Sequence, residues 1–246
     1  MNVLISIDDT DNLDSPGTGE LSAEIARMIE TRGWGDSSFI TRHQLFVHPD
    51  IPYTSHNSAM CFVAVIEPDC REALVADAGN FLARQSAPGS DPGLCVVVET
   101  SLADAPALVS FGQTAKSSVL TKNDAYSLAQ HLGVHLSEHG GTGQGVVGAL
   151  AGAGLRLSGN DGRIRRKLTI PTGSPRLSVK ALRGLPEVDA VQTRTGETLP
   201  EDAEVTLDGK VKTVLIGGRS TLLVTSDSHG SSMHWRSCSK QELKSY

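Results

Sequence analysis

The chain has 246 residues, of which 39% are hydrophobic and 20% charged. This composition excludes a disordered polyampholyte, and no apolar run approaches the roughly 20 residues needed to span a bilayer. Its 22 basic and 28 acidic residues leave a net charge of −6, which speaks against general attraction to a phosphate-coated partner and leaves room only for a local basic patch. The four cysteines, Cys61, Cys70, Cys95 and Cys238, lie far apart with no CxxC pair, so neither a zinc ribbon nor a dense disulfide framework is encoded. Reduced thiols in the cytoplasm are the expectation. The first residues run straight into a strand pattern with no export signal.

Residues 3–7 form a short apolar run rich in β-branched side chains and ended by carboxylates, which predicts a buried strand with acids at its C-terminal end. After the Pro16-Gly17 turn, Leu21, Ile25, Met28 and Ile29 recur at helical spacing up to Gly33. Residues 59–66 and 94–99 predict two further strands. Between them Ala73, Leu74, Ala76, Ala78, Phe81 and Leu82 predict a helix with a broad apolar face, and residues 86–93 a turn-rich connector. A helix over 124–132 precedes the cluster Gly140-Gly141-Thr142-Gly143-Gln144-Gly145, and residues 146–157 predict a closely packed helix of small side chains. Beyond Lys167 the pattern changes to short strands at 168–170, 190–192, 204–207, 211–216 and 220–224, with a polar, partly disordered tail over 226–246. The fold class is α/β (α+β), with two lobes of mixed sheets flanked by helices. A core over residues 1–175 is expected, followed by a β-rich C-terminal part over 176–246.

Two features stand out chemically. The first is Asp8-Asp9-Thr10-Asp11, because carboxylates crowded at a strand end repel one another and favour a cation among them. Asp8, Asp9 and Asp11 are hard oxygen donors of the kind Mg²⁺ takes, one or two at a time, together with water and substrate phosphates. An Asp-rich turn that caps the next helix is the alternative. A Ca²⁺ loop counted from Asp9 fails, since Leu13 stands at a ligand position and Asp14 where glycine is required. The second is the glycine cluster, in which Gly141, Thr142, Gly143 and Gly145 offer backbone N–H groups to an anion, with a simple flexible turn as the alternative. It is neither a P-loop nor a dinucleotide fingerprint.

Weaker signals are the histidines and the basic run. His43, His48 and His56 read as surface or loop residues. His131, His135 and His139 recur at one-turn spacing, but Gly133 and Gly140 interrupt a helix there, which favours a solvated edge. Cys61 and Cys95 read as core thiols, and Trp235 as packed against the body. Along a strand, Arg163, Arg165 and Lys167 would face one way, either gripping phosphates or protecting an edge.

In order along the chain, Ile7-Asp8-Asp9-Thr10-Asp11 with Gly17-Thr18, His48-Pro49-Asp50-Ile51-Pro52-Tyr53 with His56-Asn57-Ser58-Ala59, Asp91-Pro92-Gly93, residues 143–151 and Gly173-Ser174-Pro175-Arg176 resemble segments of the archaeal tRNA-isoleucine agmatidine synthetases, in their ATP-dependent kinase-like domain. Gln144 stands where that family has Arg, and no counterpart of its OB-fold and zinc ribbon is expected. The resemblance implies ATP and Mg²⁺ as cofactors, a phosphotransferase-like reaction, and Thr18 contacting or transiently accepting phosphate. Lys116 and Arg176 are candidate cations for the same phosphate oxygens. The expected partners are a nucleotide and an acceptor the sequence does not identify, with only weak nucleic-acid binding and no membrane contact. A non-catalytic nucleotide sensor and an RNA-binding accessory protein are the other functional classes.

Overall fold

The structure, a computed structural model, describes residues 1–51, 57–166, 168–170, 176–207, 209–227 and 234–246. Contacts divide it into two units, Met1–Ser158 and Gly159–Tyr246. The first runs β1 (Asn2–Asp8), α1 (Thr18–Thr31), β2 (Gly35–Ser37), β3 (Thr41–Gln44), β4 (Ser58–Ile66), α2 (Arg71–Gln85), β5 (Gly93–Val98), α3 (Ala105–Thr114), α4 (Lys122–Leu132), β6 (His135–Glu138) and α5 (Gly145–Leu157). Its sheet has the order β6-β5-β1-β4-β3, with β2 also on β4 and every pair antiparallel.

Strand β1 is central and buried on both faces, which is why its sequence is a nearly unbroken apolar run. The two-residue period of a strand then sorts its side chains. Val3, Ile5 and Ile7 pack with Leu21, Ile25 and Ile29 of α1 and with Leu74, Ala78 and Leu82 of α2. Leu4 packs on the other face with Val146, Ala149, Leu150 and Ala153 of α5. Ser6 and Asp8 follow Leu4 on that face, so the strand presents its acid to α5 and not to α1.

The second unit comprises β7 (Arg163–Ile164), β8 (Arg176–Ser178), α6 (Val179–Arg183), β9 (Ala190–Thr193), β10 (Glu204–Thr206), β11 (Val214–Ile216), β12 (Arg219–Asp227) and β13 (His234–Ser237). Its pairs are mixed: β9 runs parallel to β12 and β10 parallel to β13, while β11 and β13 run antiparallel to β12. Val179 and Leu182 of α6 close its core over Val191, Val205, Leu222 and Val224. Among the described residues, no helix is long and apolar enough to cross a membrane.

Several expectations are corrected here. Residues 168–170 form no strand, although Leu168 is buried. The basic run makes no continuous face: Arg163 is buried in β7, where desolvation lowers its pKa, whereas Arg165 and Arg166 are exposed. His43 is fully buried in β3 and joined to the Thr41 hydroxyl at 2.7 Å. The described end of the tail is structured, with Trp235 packed against the core of its unit and Cys238 and Leu243 buried. Lys167, His56, Pro52-Tyr53 and Gly173-Ser174-Pro175 lie outside the described residues. So does residue 175, where the lobe boundary was expected.

The tail is fastened by Arg236, whose Nη1 and Nη2 donate to the two Glu242 carboxylate oxygens at 2.8 and 2.9 Å. The Arg236 bonds, with one from the Ser239 N–H, bring the Glu242 pKa down to about 2. A lowered carboxylate pKa contributes stability above its ordinary value of 4.5 and loses it as pH falls through the folded value. Because the pair is partly exposed, Glu242→Gln is expected to cost only about 0.5–1 kcal/mol at pH 7. Urea unfolding at pH 7 and in acid tests this, with the difference from the unsubstituted chain narrowing in acid.

Candidate functional site

Strand β1 ends at Asp8, whose register partner on β5 is Gly93. The Asp8 side chain rests on α5 where that helix has glycine: a Cβ at Gly148 would stand 1.6 Å from Asp8 Oδ2. Here the glycine of the helix is a requirement of close approach. The chain then turns through Asp9, the single non-glycine residue of positive φ (51°) among those described, in the left-handed region that aspartate tolerates. Thr10 is buried, and its carbonyl accepts the Ala87 N–H at 3.0 Å. Asp11 points to the start of α1, where it accepts the hydroxyl of Thr18 at 2.9 Å.

Crowding and burial set the protonation of this turn. Burial first, then the charges of Asp9 and Asp11, push the Asp8 carboxyl from its ordinary 3.8 up to about 8, against a hydrogen bond from the Asp9 backbone. Burial, then the charges of Asp91 and Asp11, push Asp9 up to about 6 despite a bond from the Asp91 backbone. Both carboxyls are thus held above the ordinary carboxylate range, Asp8 further than Asp9.

Asp91 is the residue the sequence does not reveal as part of this group. It lies two places before β5, is buried, and turns its carboxylate to the glycine loop. The Thr142 N–H donates to its Oδ1, and the Thr142 hydroxyl donates to Oδ2 at 2.6 Å. Burial raises its pKa, but these bonds and those from the Gln144 and Gly143 backbones outweigh it, so Asp91 stays below the ordinary carboxylate value. Fifty-one residues separate Asp91 from Thr142, and no local pattern links them.

The structure thus gathers Asp8, Asp9, Asp11 and Thr18 with a loop containing Gly141, Thr142, Gly143 and Gly145. An added Cβ at Gly145 would lie 3.1 Å from the Asp8 carbonyl oxygen. Lys116 sits elsewhere in the first unit, in the turn after α3, where its N–H bonds to the Gln113 carbonyl. Arg176 opens β8 in the second unit, exposed and in register with Thr206. Among the described residues no three His, Cys, Asp or Glu side chains are arranged to enclose a metal ion. The three acids expected to converge are already engaged separately, Asp8 against α5, Asp9 with the Asp91 backbone and Asp11 with Thr18.

The chain's α/β fold, with an acidic strand end laid on a glycine-rich helix, is similar to that of solved structures. No protein-family profile matches the chain, and no curated protein sequence does. Among solved structures, the chain resembles the isoleucine-tRNA agmatidine synthetase TiaS. It is 26% identical to the synthetase in its complex with tRNA and ATP, with a TM-score of 0.55 over 63% of this chain and 36% of that one. A tRNA fluorescent labeling enzyme is 27% identical, with a TM-score of 0.55 over the same shares. The complex of TiaS with tRNA, AMPCPP and agmatine shares the fold at 22% identity and a TM-score of 0.54, over 74% of this chain and 43% of that one. The chain therefore corresponds to well under half the length of these proteins.

Proposed function

We propose that the first unit binds ATP with Mg²⁺ at the acidic turn and uses it in a phosphotransferase-like reaction related to that of the agmatidine synthetases. The supporting observation is the acidic turn Asp8-Asp9-Thr10-Asp11, with Asp8 laid on the glycine face of α5, in a chain 26% identical to an enzyme solved with ATP. The donor set fits Mg²⁺ in its usual manner, by one or two carboxylates with the remaining positions left to water and phosphate oxygens. Asp8 and Asp9 are the carboxylates that would hold it. Bound there, the ion would neutralise charge on the phosphate oxygens.

The side chains of the turn divide the remaining work. Asp11, which is not one of the two carboxylates holding the ion and already accepts the Thr18 hydroxyl, is the one suited to take a proton. Asp8 gives up its proton when a cation arrives, which links binding to proton release. With its hydrogen directed at Asp11, the Thr18 oxygen would take a phosphoryl group by attack at phosphorus, Asp11 receiving the proton and ADP leaving. The acceptor belongs to the same proposal, with tRNA a candidate because the similar structures contain it. A net charge of −6 makes any nucleic-acid affinity of this chain weak and steeply salt-dependent. Four free cysteines, three of them buried, suit a reducing, cytoplasmic setting.

Calorimetric titration with Mg²⁺ and a non-hydrolysable ATP analogue tests the proposal. A Kd between about 1 μM and 1 mM is expected, the usual range for enzyme substrates. Asp9→Asn is expected to weaken it roughly tenfold or more. Equal binding in excess chelator, or no binding at all, would refute the reading. Binding without any ATP turnover would instead identify a nucleotide sensor.

A further inference from the structure

We infer that Asp91 and Lys122 are positioning residues that clamp the glycine loop from two sides, making it a strut that sets α5 against Asp8 and not a seat for phosphate. The role assigned to Asp8 rests on the ATP reading above. The clamp itself rests on the loop's hydrogen bonds.

Thr142 is gripped at both ends of its peptide unit. Its N–H and hydroxyl go to the Asp91 carboxylate, and its carbonyl accepts Lys122 Nζ at 2.6 Å. The same ammonium donates to Glu138 Oε2 at 2.8 Å, and the other Glu138 oxygen accepts the Tyr126 hydroxyl at 3.2 Å. The segment before β5 and the first turn of α4 therefore meet on Thr142, and the end of β6 holds the lysine in place. Gly143 is pressed so closely under this cluster that a Cβ would stand 1.5 Å from Glu138 Oε2.

The amides of Thr142, Gly145, Val146 and Val147 each have an acceptor inside the chain. The Thr142 N–H serves the Asp91 carboxylate directly, and the neighbouring backbones of Gln144 and Gly143 help to hold its pKa down. The N–H groups of Gly145, Val146 and Val147 donate to the carbonyls of Asp91, Gly143 and Gln144 at 3.1, 3.4 and 3.1 Å. The positive end of the α5 dipole faces a carboxylate supplied by the protein itself, which takes the place a phosphate would have at a helix N-terminus. Gly145 also lies against the β5 backbone at Gly93, the register partner of Asp8. A shift of the loop therefore becomes a shift of Gly148, one helical turn further on, beneath the Asp8 carboxylate.

The test compares the unsubstituted chain with Asp91→Asn, Lys122→Met and Lys122→Arg. Hydrogen exchange is read at residues 142–147, and affinity is measured for the ATP analogue with Mg²⁺. Asp91→Asn and Lys122→Met are expected to speed exchange in the loop, leave α1 and β4 unchanged, and weaken nucleotide affinity roughly tenfold. Lys122→Arg, which keeps a charged donor, restores both. Affinity that is unchanged or tighter, as loop amides freed to grip phosphate would give, overturns the inference, and so does unaltered loop exchange. Should Asp91→Asn fail to fold, the two Lys122 variants decide, since that side chain is partly exposed at the start of a helix. If the unsubstituted chain binds no nucleotide, the ATP reading falls while the exchange data still judge the clamp.

Discussion

Replacing Gly148 by alanine is expected to cost the first unit about a hundredfold or more in affinity for Mg²⁺ and nucleotide, a typical penalty for a small displacement of a catalytic group. The added methyl would stand 1.6 Å from Asp8 Oδ2 and 2.5 Å from its Cγ. Neither partner has an easy retreat: Asp8 is 7% exposed, and α5 is buried along nearly its whole length. Either the carboxyl rotates out of the site or the helix lifts from β1. Overpacking of this kind costs about 1–3 kcal/mol, offset by roughly 1 kcal/mol of helix propensity gained over glycine. The expected signature is thus a large loss of binding with a small loss of stability. Titration calorimetry beside urea unfolding measures both, and tight nucleotide binding by Gly148→Ala would contradict the assigned site.

The second large effect concerns pH. A carboxyl whose pKa is raised on folding holds its proton more tightly in the native state, so its contribution to stability is full below the unfolded value and declines as pH rises through the folded one. For Asp8 that window runs from 3.8 to about 8, and for Asp9 from 3.8 to about 6. The protein free of metal is therefore expected to lose stability from about pH 4 to about 8, most steeply below about 6, where both carboxyls contribute. Asp8→Asn should flatten that loss and gain on the order of 2 kcal/mol at about pH 8, since each tenfold change in proton affinity corresponds to about 1.4 kcal/mol before relaxation reduces it. Thermal unfolding across this range is the measurement. Parallel curves for the two proteins would show that Asp8 is not the group responsible.

Elements with a strong period were legible in the sequence and those without one were not. β1, α1, β4, α2, β5, α4 and α5 stand close to where their apolar patterns place them. The short strands β2 and β3 carry half-polar sequences of 3 and 4 residues, too brief for alternation to register. Helix α3 was obscured by Pro106 and Gly112 within it. The histidines illustrate an ambiguity of period, since a spacing of four fits one face of a helix and equally one face of a strand. Gly133 ends α4, and His135 and His139 lie beyond it, joined through the Ser137 hydroxyl at 2.8 Å on each side. In the site, the acidic turn was legible because its charges are adjacent in the chain. The bond from Asp91 to Thr142 was not, because it depends on how β5 and α5 come together.

The histidine and serine chain of β6 also bears on how the border of the sheet is protected. Among the described strands of the first unit, β6 is the outermost beyond β5. A long apolar border strand would invite another molecule to extend the sheet, the usual route to edge-to-edge aggregation. Here the border is 4 residues long, its side chains are mostly polar, and Glu138 at its end is tied to Lys122. The imidazoles are partly shielded, and burial lowers the pKa of each, so at neutral pH they keep the serine bridge without mutual repulsion. The border is short, polar and braced by its own side chains, which makes it a poor template for strand addition.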